Sequence, residues 1–335
     1  MTDDGHALPK LFADLSGWYA MTALAVGART GLLPALEAGG TVEEIGARAG
    51  ADPRNTLEWL RVLTAAGHAV VDEGRFSISP ETAMVMGPDF PIDARAIIDF
   101  AAASPATLDD VTRAVQAGGG VGSAPLHAAF GDSVGRINGP TYAVALLPDW
   151  VAGLDGMSAR LQAGGAVADL ACGSGSAAAL LADAYPQSTV VGFDLHAHNA
   201  PGQPPNLDLR SADVSDLPDE RRFDLAVCLD SFHHFGDPER VAKQAQRILR
   251  PGGVFMVAEP ELSGDLATDT ANPFAVILFA SSLLYCLQEH LGAGGPGRSP
   301  GDGPAYVMDA LEQAGFRDVA VRPSEMGFHI VTGTA

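Results

Sequence analysis

The sequence is short of cysteine and of positive charge. Its 335 residues hold 20 lysines and arginines against 41 aspartates and glutamates, a net charge of −21. Three cysteines, Cys172, Cys228 and Cys286, cannot form a disulfide framework, so we expect buried thiols in a reducing compartment. A chain this acidic is not built to neutralise phosphates, which argues against nucleic acid or an anionic membrane surface as a partner.

Targeting and membrane-spanning patterns are also missing. The first residues, MTDDGHALPKLFADLSG, contain no basic region followed by an apolar run, so we expect no signal peptide and a cytoplasmic location. The longest late apolar stretch, Pro273 to Leu287, is short for a membrane span and is interpreted as a buried helix.

The first hundred residues favour helices with a small helix-turn-helix inside. Thr41 and Glu44 form a capping box, and Asp52 followed by Pro53 caps a second helix that ends near Gly67. Two short strands are predicted after it, Ala69 to Val71 and Phe76 to Ser79. This order is typical of a winged helix.

A winged helix suggests DNA binding, and the charges weigh against it. The second helix carries Arg54, Glu58 and Arg61, which is barely basic for an element that must approach phosphates. We interpret residues 1–115 as a helical, winged-helix domain that serves packing and homodimer formation, and residues 116–150 as a linker and helix.

From residue 151 to 335 strands and helices alternate, which predicts an α/β fold with a doubly wound, Rossmann-like sheet of seven strands. The chain ends in a hairpin that places one strand antiparallel to the rest. The predicted strands are Val167–Cys172, Thr189–Asp194, Leu207–Arg210, Phe223–Leu229, Val254–Glu259, Asp318–Arg322 and Gly327–Val331.

A glycine-rich loop follows the first of these strands, in VADLACGSGSAAALLADAYP. Gly173 and Gly175 with Ala178 satisfy the dinucleotide pattern G-x-G-x-x-[GA], although alone the match is weak. A P-loop is excluded because no Gly-Lys-[Ser/Thr] follows.

Three acids favour a ligand without phosphate. Asp169, inside the strand, would repel a pyrophosphate but suits an ammonium group. Asp194 ends the next strand, where an acid can accept both hydroxyls of a ribose. Asp213, in SADVSDLP, can accept a hydrogen bond from the amine of an adenine. Ammonium, ribose and adenine together describe S-adenosylmethionine.

At this point the sequence resembles the class I S-adenosylmethionine-dependent methyltransferases. VADLACGSGS is similar to their first motif, VVGFDL to the acidic segment after it, RRFDLAVCLDSFHHF to their fourth strand and its loop, and ILRPGGVFMVAEP to the turn into strand five. The resemblance covers about Trp18 to Val331 and implies further cofactor contacts from Ala171, Leu195, Val214 and Leu229.

The N-terminal domain and the segment NPFAVILFASSLLYCLQEHLGAGGPG resemble an actinobacterial-type small-molecule subgroup, some relatives of which methylate 2-oxo acids at carbon with a metal in the pocket. This chain departs from that pattern. Tyr285 stands where a histidine is expected, and the proline-broken segment after Asp194 reduces or removes the usual helix. A metal would need further ligands such as Asp230, His290 or Glu259. Two histidines with a carboxylate would suit iron or zinc, but no strong spacing signature is present, so we expect no metal.

His233 and His234 are the candidate catalytic residues. They follow the fourth strand at the carboxyl edge of the sheet, where open α/β folds bind ligands. A neutral imidazole with a pKa near 6.5 suits accepting a proton from a hydroxyl or an acidic C–H. Packing or helix capping is the alternative, and adjacent loop residues usually point apart.

Acceptor specificity is expected from the helical parts. Trp18 and Met21 near the start, with Phe279 and Tyr285 late in the chain, would form an aromatic, Met-containing wall suited to a planar or hydrophobic small molecule. Ordinary core packing is the alternative for each of them.

The sequence therefore favours a methyltransferase acting on a small metabolite, in secondary metabolism, by O- or C-methylation. Two alternatives stay open: the fold reused for other chemistry such as cyclisation, and a winged-helix DNA-binding regulator. The sequence does not name the acceptor, nor decide among oxygen, nitrogen and carbon as the atom methylated.

Overall fold

A computed structural model describes residues 7–88, 90, 92–197, 202–218 and 222–335. The chain divides into two compact units, Met1–Pro105 and Ala106–Ala335. The helix Ser123–Ala145, which the sequence places in a segment of linker and helix, packs against the helix Ser176–Ala184 of the second unit. The functional division into domains stays a prediction.

The first unit is mainly helical, with one small hairpin. Its elements are α1 (Ala7–Thr30), α2 (Leu32–Glu37), α3 (Val42–Ala49), α4 (Pro53–Ala65), β1 (Ala69–Asp72), β2 (Arg75–Ile78), α5 (Pro80–Met86) and the first part of α6 (Ala94–Ala117), up to Pro105. The capping box of Thr41 and Glu44 is confirmed, and the Asp52 side chain accepts from the Asn55 N–H at 2.9 Å.

The helix-turn-helix and the hairpin that a winged helix requires are thus present, while the winged-helix assignment itself stays a prediction. Leu36, Ile45 and Leu60 are completely buried in the core of this unit. On α4, Arg54 and Arg61 both pair with Glu58, so one carboxylate offsets one of the two positive charges and the helix offers little to a phosphate backbone.

Helix α1 leaves large apolar side chains in solvent. Its exposed residues include Leu8, Leu11, Phe12, Leu15 and Tyr19, with exposures between 44% and 62%. Their spacing places them along one side of the helix, so α1 presents an apolar stripe. No described residue of the first unit covers this stripe.

The second unit supplies the large sheet. Its helices are the remainder of α6, then α7 (Ser123–Ala145), α8 (Met157–Gln162), α9 (Ser176–Ala184), α10 (Pro238–Ile248), α11 (Leu266–Asp269), α12 (Ala275–Ser281), α13 (Leu287–Gly292) and α14 (Ala305–Gln313). π-Helical turns cover Leu146–Val151 and Ser282–Cys286, and 3₁₀ turns cover Val214–Asp216, Phe232–His234 and Pro300–Asp302.

Seven strands form one sheet in the order β5-β4-β3-β6-β7-β9-β8. They are β3 (Ala166–Leu170), β4 (Thr189–Asp194), β5 (Leu207–Ser211), β6 (Phe223–Leu229), β7 (Leu249–Pro260), β8 (Arg317–Ser324) and β9 (Phe328–Thr334). β9 pairs antiparallel with both β7 and β8, and the other pairs are parallel. The predicted seven-stranded Rossmann-like sheet with a terminal hairpin is confirmed.

The strand order reverses at β3, which has β4 on one side and β6 on the other. Crevices of this kind, at the carboxyl ends of the strands, are where open α/β sheets bind ligands. All seven residues of β6 are buried, as expected of a central strand covered on both faces. The loops after β3, β4, β6 and β7 therefore meet over one rigid edge.

The late apolar segment differs from the expectation of a buried helix. Among the described residues, Ala275–Gly292 is the one stretch long and apolar enough to cross a membrane by length and composition, and only 28% of it is buried. It nevertheless turns a polar face inward, because Gln288 and His290 are almost fully buried. That inward face contacts the loop after β6.

The sequence predicts that the usual helix after Asp194 is reduced or absent. Part of that segment, residues 198–201, lies outside the described residues. Leu195 and His196 form a turn directly after β4.

Candidate active site

The loop after β3 needs glycine to fold as it does. Ala171, Gly173 and Gly175 all have positive φ values, 61°, 53° and 80°. A Cβ atom on Gly175 would lie 2.7 Å from a methyl carbon of Leu209, so a larger residue would collide as well as strain the backbone. Gly175 is also the N-cap residue of α9, which begins at Ser176.

Asp194 is fixed where β4 ends. Its Oδ2 accepts a hydrogen bond from the Gly173 N–H at 3.0 Å, and its Oδ1 accepts from the His196 N–H at 2.8 Å. Each carboxylate oxygen can accept a second hydrogen bond, which leaves room for the two hydroxyls of a ribose.

Asp169 is buried without a partner for one of its oxygens. Its residue exposure is 1%, and Oδ2 has no hydrogen-bond partner among the described residues. Burial, reinforced by the nearby charge of Asp194, raises the pKa of Asp169 from 3.8 to about 7. A buried carboxyl without a counter-charge is unfavourable, and a cationic ligand group would relieve it.

The remaining predicted cofactor residues lie along the same edge. The Asp213 side chain accepts from the Ser215 N–H at 2.8 Å, and the Ala212 N–H donates to the Asp194 carbonyl at 3.0 Å, which brings the Asp213 loop beside Asp194. Val214 and Leu229 are buried, whereas Leu195 is largely exposed. Their contact with a cofactor stays a prediction.

His233 lies in the 3₁₀ turn after β6 and is almost fully buried. Its Nδ1 is hydrogen-bonded to the carboxylate of Glu259, at the end of β7, and Glu259 also accepts from the Phe232 N–H at 2.9 Å. Burial opposes a charge on this ring, but Glu259 outweighs it and holds the pKa of His233 well above its ordinary value. The Nε2 atom has no partner among the described residues.

His234 is less enclosed, with 15% of its side chain exposed. Its Nδ1 lies 2.7 Å from a carboxylate oxygen of Glu289, off the line of a straight hydrogen bond. Burial and His233 lower its pKa, but Cys286 and Glu289 more than compensate and raise it to about 9. The expected neutral imidazole with a pKa near 6.5 is therefore not what this environment favours.

Cys286 is the site residue that sequence reasoning missed. It was expected to be an inert buried thiol, yet its sulfur and one nitrogen of each of His233 and His234 all lie within 4.8 Å of one another. These three are the described side chains that could hold a metal ion. The expectation of no metal stays a prediction.

The predicted acceptor-binding residues fall in both units. Tyr285 packs against His234 with ring centroids 4.9 Å apart, and against Phe130 at 5.3 Å. Trp18 is partly exposed on α1, and Trp18 and Met21 belong to the first unit, while Phe279 lies on α12. A role in binding the acceptor stays a prediction for all four.

Asp230 is a second residue whose placement the motifs did not reveal. It has a positive φ of 51°, and its Oδ2 accepts from the Asn138 side chain of α7 at 2.7 Å. Burial is the main cause that raises the pKa of its carboxyl. A strained residue held at a strand end by a long-range hydrogen bond is typical of functional sites.

Comparison with known proteins gives a consistent result. Residues 145–291 match the family model described as "Methyltransferase domain". The chain is 36% identical over 116 residues to trans-aconitate 2-methyltransferase of Deinococcus radiodurans, and 33% identical over 116 residues to the ubiquinone biosynthesis O-methyltransferase of Paracidovorax citrulli. These matches cover 32% and 31% of this chain, and 44% and 45% of the relatives. The chain thus spans less than half the length of these two curated relatives.

Solved structures match over almost the whole chain. They include PigF with SAH (TM-score 0.69, 17% identity, covering 98% of this chain and 99% of that one) and the mitomycin 7-O-methyltransferase MmcR (0.71, 18%, 99% and 98%). A third is NcsB1 from neocarzinostatin biosynthesis, solved with S-adenosylmethionine and 2-hydroxy-5-methyl naphthoic acid (0.64, 19%, 97% and 98%). At these identities the likeness shows a shared fold.

Proposed function

We propose that this chain, which has a methyltransferase domain of the class I S-adenosylmethionine-dependent fold, transfers the methyl group of S-adenosylmethionine to a small-molecule acceptor. The observation that carries the proposal is the pair of acids over the glycine loop. Asp169 is buried, and its Oδ2 has no hydrogen-bond partner among the described residues. Asp194 accepts a hydrogen bond from the Gly173 N–H, and each of its two carboxylate oxygens can accept one more. The first suits the ammonium of the donor and the second its ribose.

Methyl transfer needs little beyond alignment of the acceptor with the methyl group and removal of a proton from the acceptor. The sulfonium already activates the methyl group, so holding an acceptor in line with it supplies much of the rate. An acceptor hydroxyl or acidic C–H must also lose a proton, and we assign that step to the histidine pair. His234 is the better candidate because it is more exposed and packs against Tyr285, whereas the Nδ1 of His233 is committed to Glu259.

We place the acceptor among hydroxylated or 2-oxo small molecules of secondary metabolism. Tyr285 and Phe279 offer partly exposed aromatic surface in the second unit, and the buried ring of Phe130 packs behind Tyr285, which suits a planar acceptor. MmcR and NcsB1, which share the fold, are named as a mitomycin 7-O-methyltransferase and as an O-methyltransferase from neocarzinostatin biosynthesis. The choice between oxygen and carbon follows from the acceptor.

The proposal includes a cytoplasmic homodimer. The apolar stripe of α1, which contains Leu11, Leu15 and Tyr19, supports a second copy of the chain as its partner. The two arginines of α4 are both paired with Glu58, which gives little support to DNA binding.

The experiment is release of S-adenosylhomocysteine when the protein is incubated with S-adenosylmethionine and a panel of phenols, naphthoic acids and 2-oxo acids. Acceptor-dependent release, with a methylated product found by mass spectrometry, supports the proposal. Conversion of an acceptor without release of S-adenosylhomocysteine would assign the fold to non-methylating chemistry.

A further inference from the structure

Two side chains attach helix α7 to the end of β6. The Asn138 side-chain amide donates a hydrogen bond of 2.7 Å to Oδ2 of Asp230, and the Tyr142 hydroxyl donates one of 3.3 Å to the Leu229 carbonyl. Asn138 and Tyr142 stand four residues apart, which places them on the same side of the helix. One face of α7 therefore fixes the last residue of β6 and the residue after it.

The same face of α7 passes over the glycine loop after β3. A Cβ atom on Gly135 would lie 3.3 Å from Oγ of Ser174 in that loop. A Cβ atom on Gly139 would meet no atom of the described residues within 4 Å outside its own turn of helix. Because Gly135, Asn138 and Gly139 are three and four residues apart, they share this face. The helix thus contacts the loop and the end of β6 and leaves free space beside Gly139.

Two acids lie near this face of α7. Asp169 belongs to β3 and is buried, with no hydrogen-bond partner for its Oδ2 among the described residues. Asp230 follows the neighbouring strand β6, is half-buried, and makes no ion pair within the described part of the chain. Burial raises the pKa of the Tyr142 hydroxyl well above its ordinary value, and the charges of Asp230 and Asp169 add to that rise, so both carboxyls lie close to it.

S-adenosylmethionine offers two cations to two acids. Its ammonium and its sulfonium are separated by three carbon atoms, and Asp169 suits the ammonium. When the methyl carbon bonds to the acceptor, the carbon–sulfur bond breaks and its electron pair stays on sulfur. The product, S-adenosylhomocysteine, keeps the ammonium but has lost the sulfonium charge. An acid beside the sulfur therefore distinguishes donor from product, whereas an acid beside the ammonium does not.

We propose that the carboxylate of Asp230 contacts the sulfonium of S-adenosylmethionine and makes the site prefer the donor over the product, and that Asn138 is the positioning residue that fixes this carboxylate. Asp230 has a positive φ of 51°, and Asn138 engages its Oδ2, which leaves Oδ1 for the ligand. The inference rests on the proposed function in one respect, that S-adenosylmethionine is the ligand. It concerns binding and can be measured without an acceptor.

Titration calorimetry with three compounds tests the role of Asp230. They are S-adenosylmethionine, S-adenosylhomocysteine and sinefungin, which has an amine-bearing carbon in place of the methyl-bearing sulfur and so keeps a cation there without reacting. In Asp230→Asn we expect S-adenosylmethionine and sinefungin to bind roughly 10- to 100-fold more weakly, because a carboxylate charge beside a cation is lost. S-adenosylhomocysteine should bind as it does to the parent, which also shows that the variant is folded.

Asp169→Asn is the matched control for the position of the charge. All three compounds carry the ammonium, so this variant should weaken all three alike and leave the preference for the donor unchanged. Asn138→Leu, which removes the hydrogen bond to Asp230 at similar volume, should reduce the preference for the donor in the same direction as Asp230→Asn. A side chain that only packs α7 in place would instead weaken donor and product equally.

The outcomes separate this inference from the proposed function. Donor and product affinities that fall equally in Asp230→Asn, or that both stay at the parental value, would overturn the role of Asp230 while the parent still binds both compounds. An unchanged preference for the donor in Asn138→Leu would overturn the positioning role of Asn138. A parent that binds neither compound would overturn the proposed function and this inference with it.

Discussion

The backbone N–H of Gly173 donates a hydrogen bond of 3.0 Å to Oδ2 of Asp194. This contact joins the glycine loop after β3 to the acid that ends β4. The loop contains three residues with positive φ, so an anchor from the neighbouring strand helps to hold it in one shape. Asp194 thus has two roles: it holds the glycine loop in place, and we expect it to accept hydrogen bonds from the ribose of the nucleoside.

Asp194→Ala is predicted to weaken binding of S-adenosylmethionine by about 10- to 150-fold, equivalent to roughly 1.5–3 kcal/mol, because a charged acceptor of the ribose hydroxyls is lost. Titration calorimetry measures the change. Asp183→Ala, an exposed acid at the end of α9, is the matched control and should bind like the parent. Unchanged affinity in Asp194→Ala would remove this residue from the site.

Asp169→Asn is predicted to stabilise the ligand-free protein at pH 8 while weakening donor binding. The folded state raises the pKa of this carboxyl from 3.8 to about 7, so folding favours its neutral form. The associated cost to stability is absent below pH 4, grows as pH rises towards 7, and is complete above it. A neutral amide avoids that cost but offers no charge to an ammonium.

Thermal unfolding at pH 4 and pH 8 tests this directly. The gain in melting temperature of Asp169→Asn over the parent should be present at pH 8 and nearly absent at pH 4. An equal gain at both pH values would mean that the effect comes from packing and not from the carboxyl charge.

His234→Ala is predicted to cut turnover by roughly 10²–10⁴-fold with donor affinity retained, since the donor is held by the loop after β3. A base must be neutral to accept a proton, so the parent rate should rise with pH through about 9, the pKa of His234 in this environment. Steady-state rates across pH measure both. Near-parental rates in His234→Ala and His233→Ala alike would make the pair structural.

Leu11→Glu combined with Leu15→Glu is predicted to convert a dimer to a monomer, because two charges would be buried against a second copy of α1. Light scattering on the full chain gives the mass. Ala13→Glu, on the opposite side of the same helix by its spacing, is the control and should leave the mass unchanged. A parent that is already monomeric would contradict the proposed assembly.

Much of the fold was accessible from the sequence because local signals determine it. Thr189–Asp194 and Phe223–Leu229 are predicted to the residue, since apolar runs bounded by turn residues mark buried strands. The same signals predict the position of the cofactor site, because the carboxyl ends of parallel strands lie at one edge of the sheet. Asp169 and Asp194 could therefore be named from their positions alone.

What escaped prediction depends on contacts between distant residues. Cys286 lies more than fifty positions from His233, and only the packing of the late helix on the loop after β6 brings them together. The raised pKa of His234 has the same origin, since both groups that raise it come from that helix. The exposure of Ala275–Gly292 was misjudged because composition does not say which face finds a partner.

The glycine-rich segment QAGGGVGSAP predicts a domain boundary near residue 115, because clustered glycines are typical of linkers. The compact units divide inside α6, between Pro105 and Ala106, and α7 packs on α9 and α13 of the second unit. Packing between helices that lie far apart in the chain leaves no local signal in the sequence, so the predicted domain boundaries stay a prediction.

A crystal structure of the protein with S-adenosylhomocysteine tests the central claim most directly, namely that the carboxyl edge of the sheet holds the methyl donor in front of the histidine pair. We expect the ammonium within hydrogen-bond distance of Asp169, the ribose hydroxyls on Asp194, and the sulfur facing His234. A nucleoside bound away from Asp194, or a sulfur directed away from the turn Phe232–His234, would contradict it.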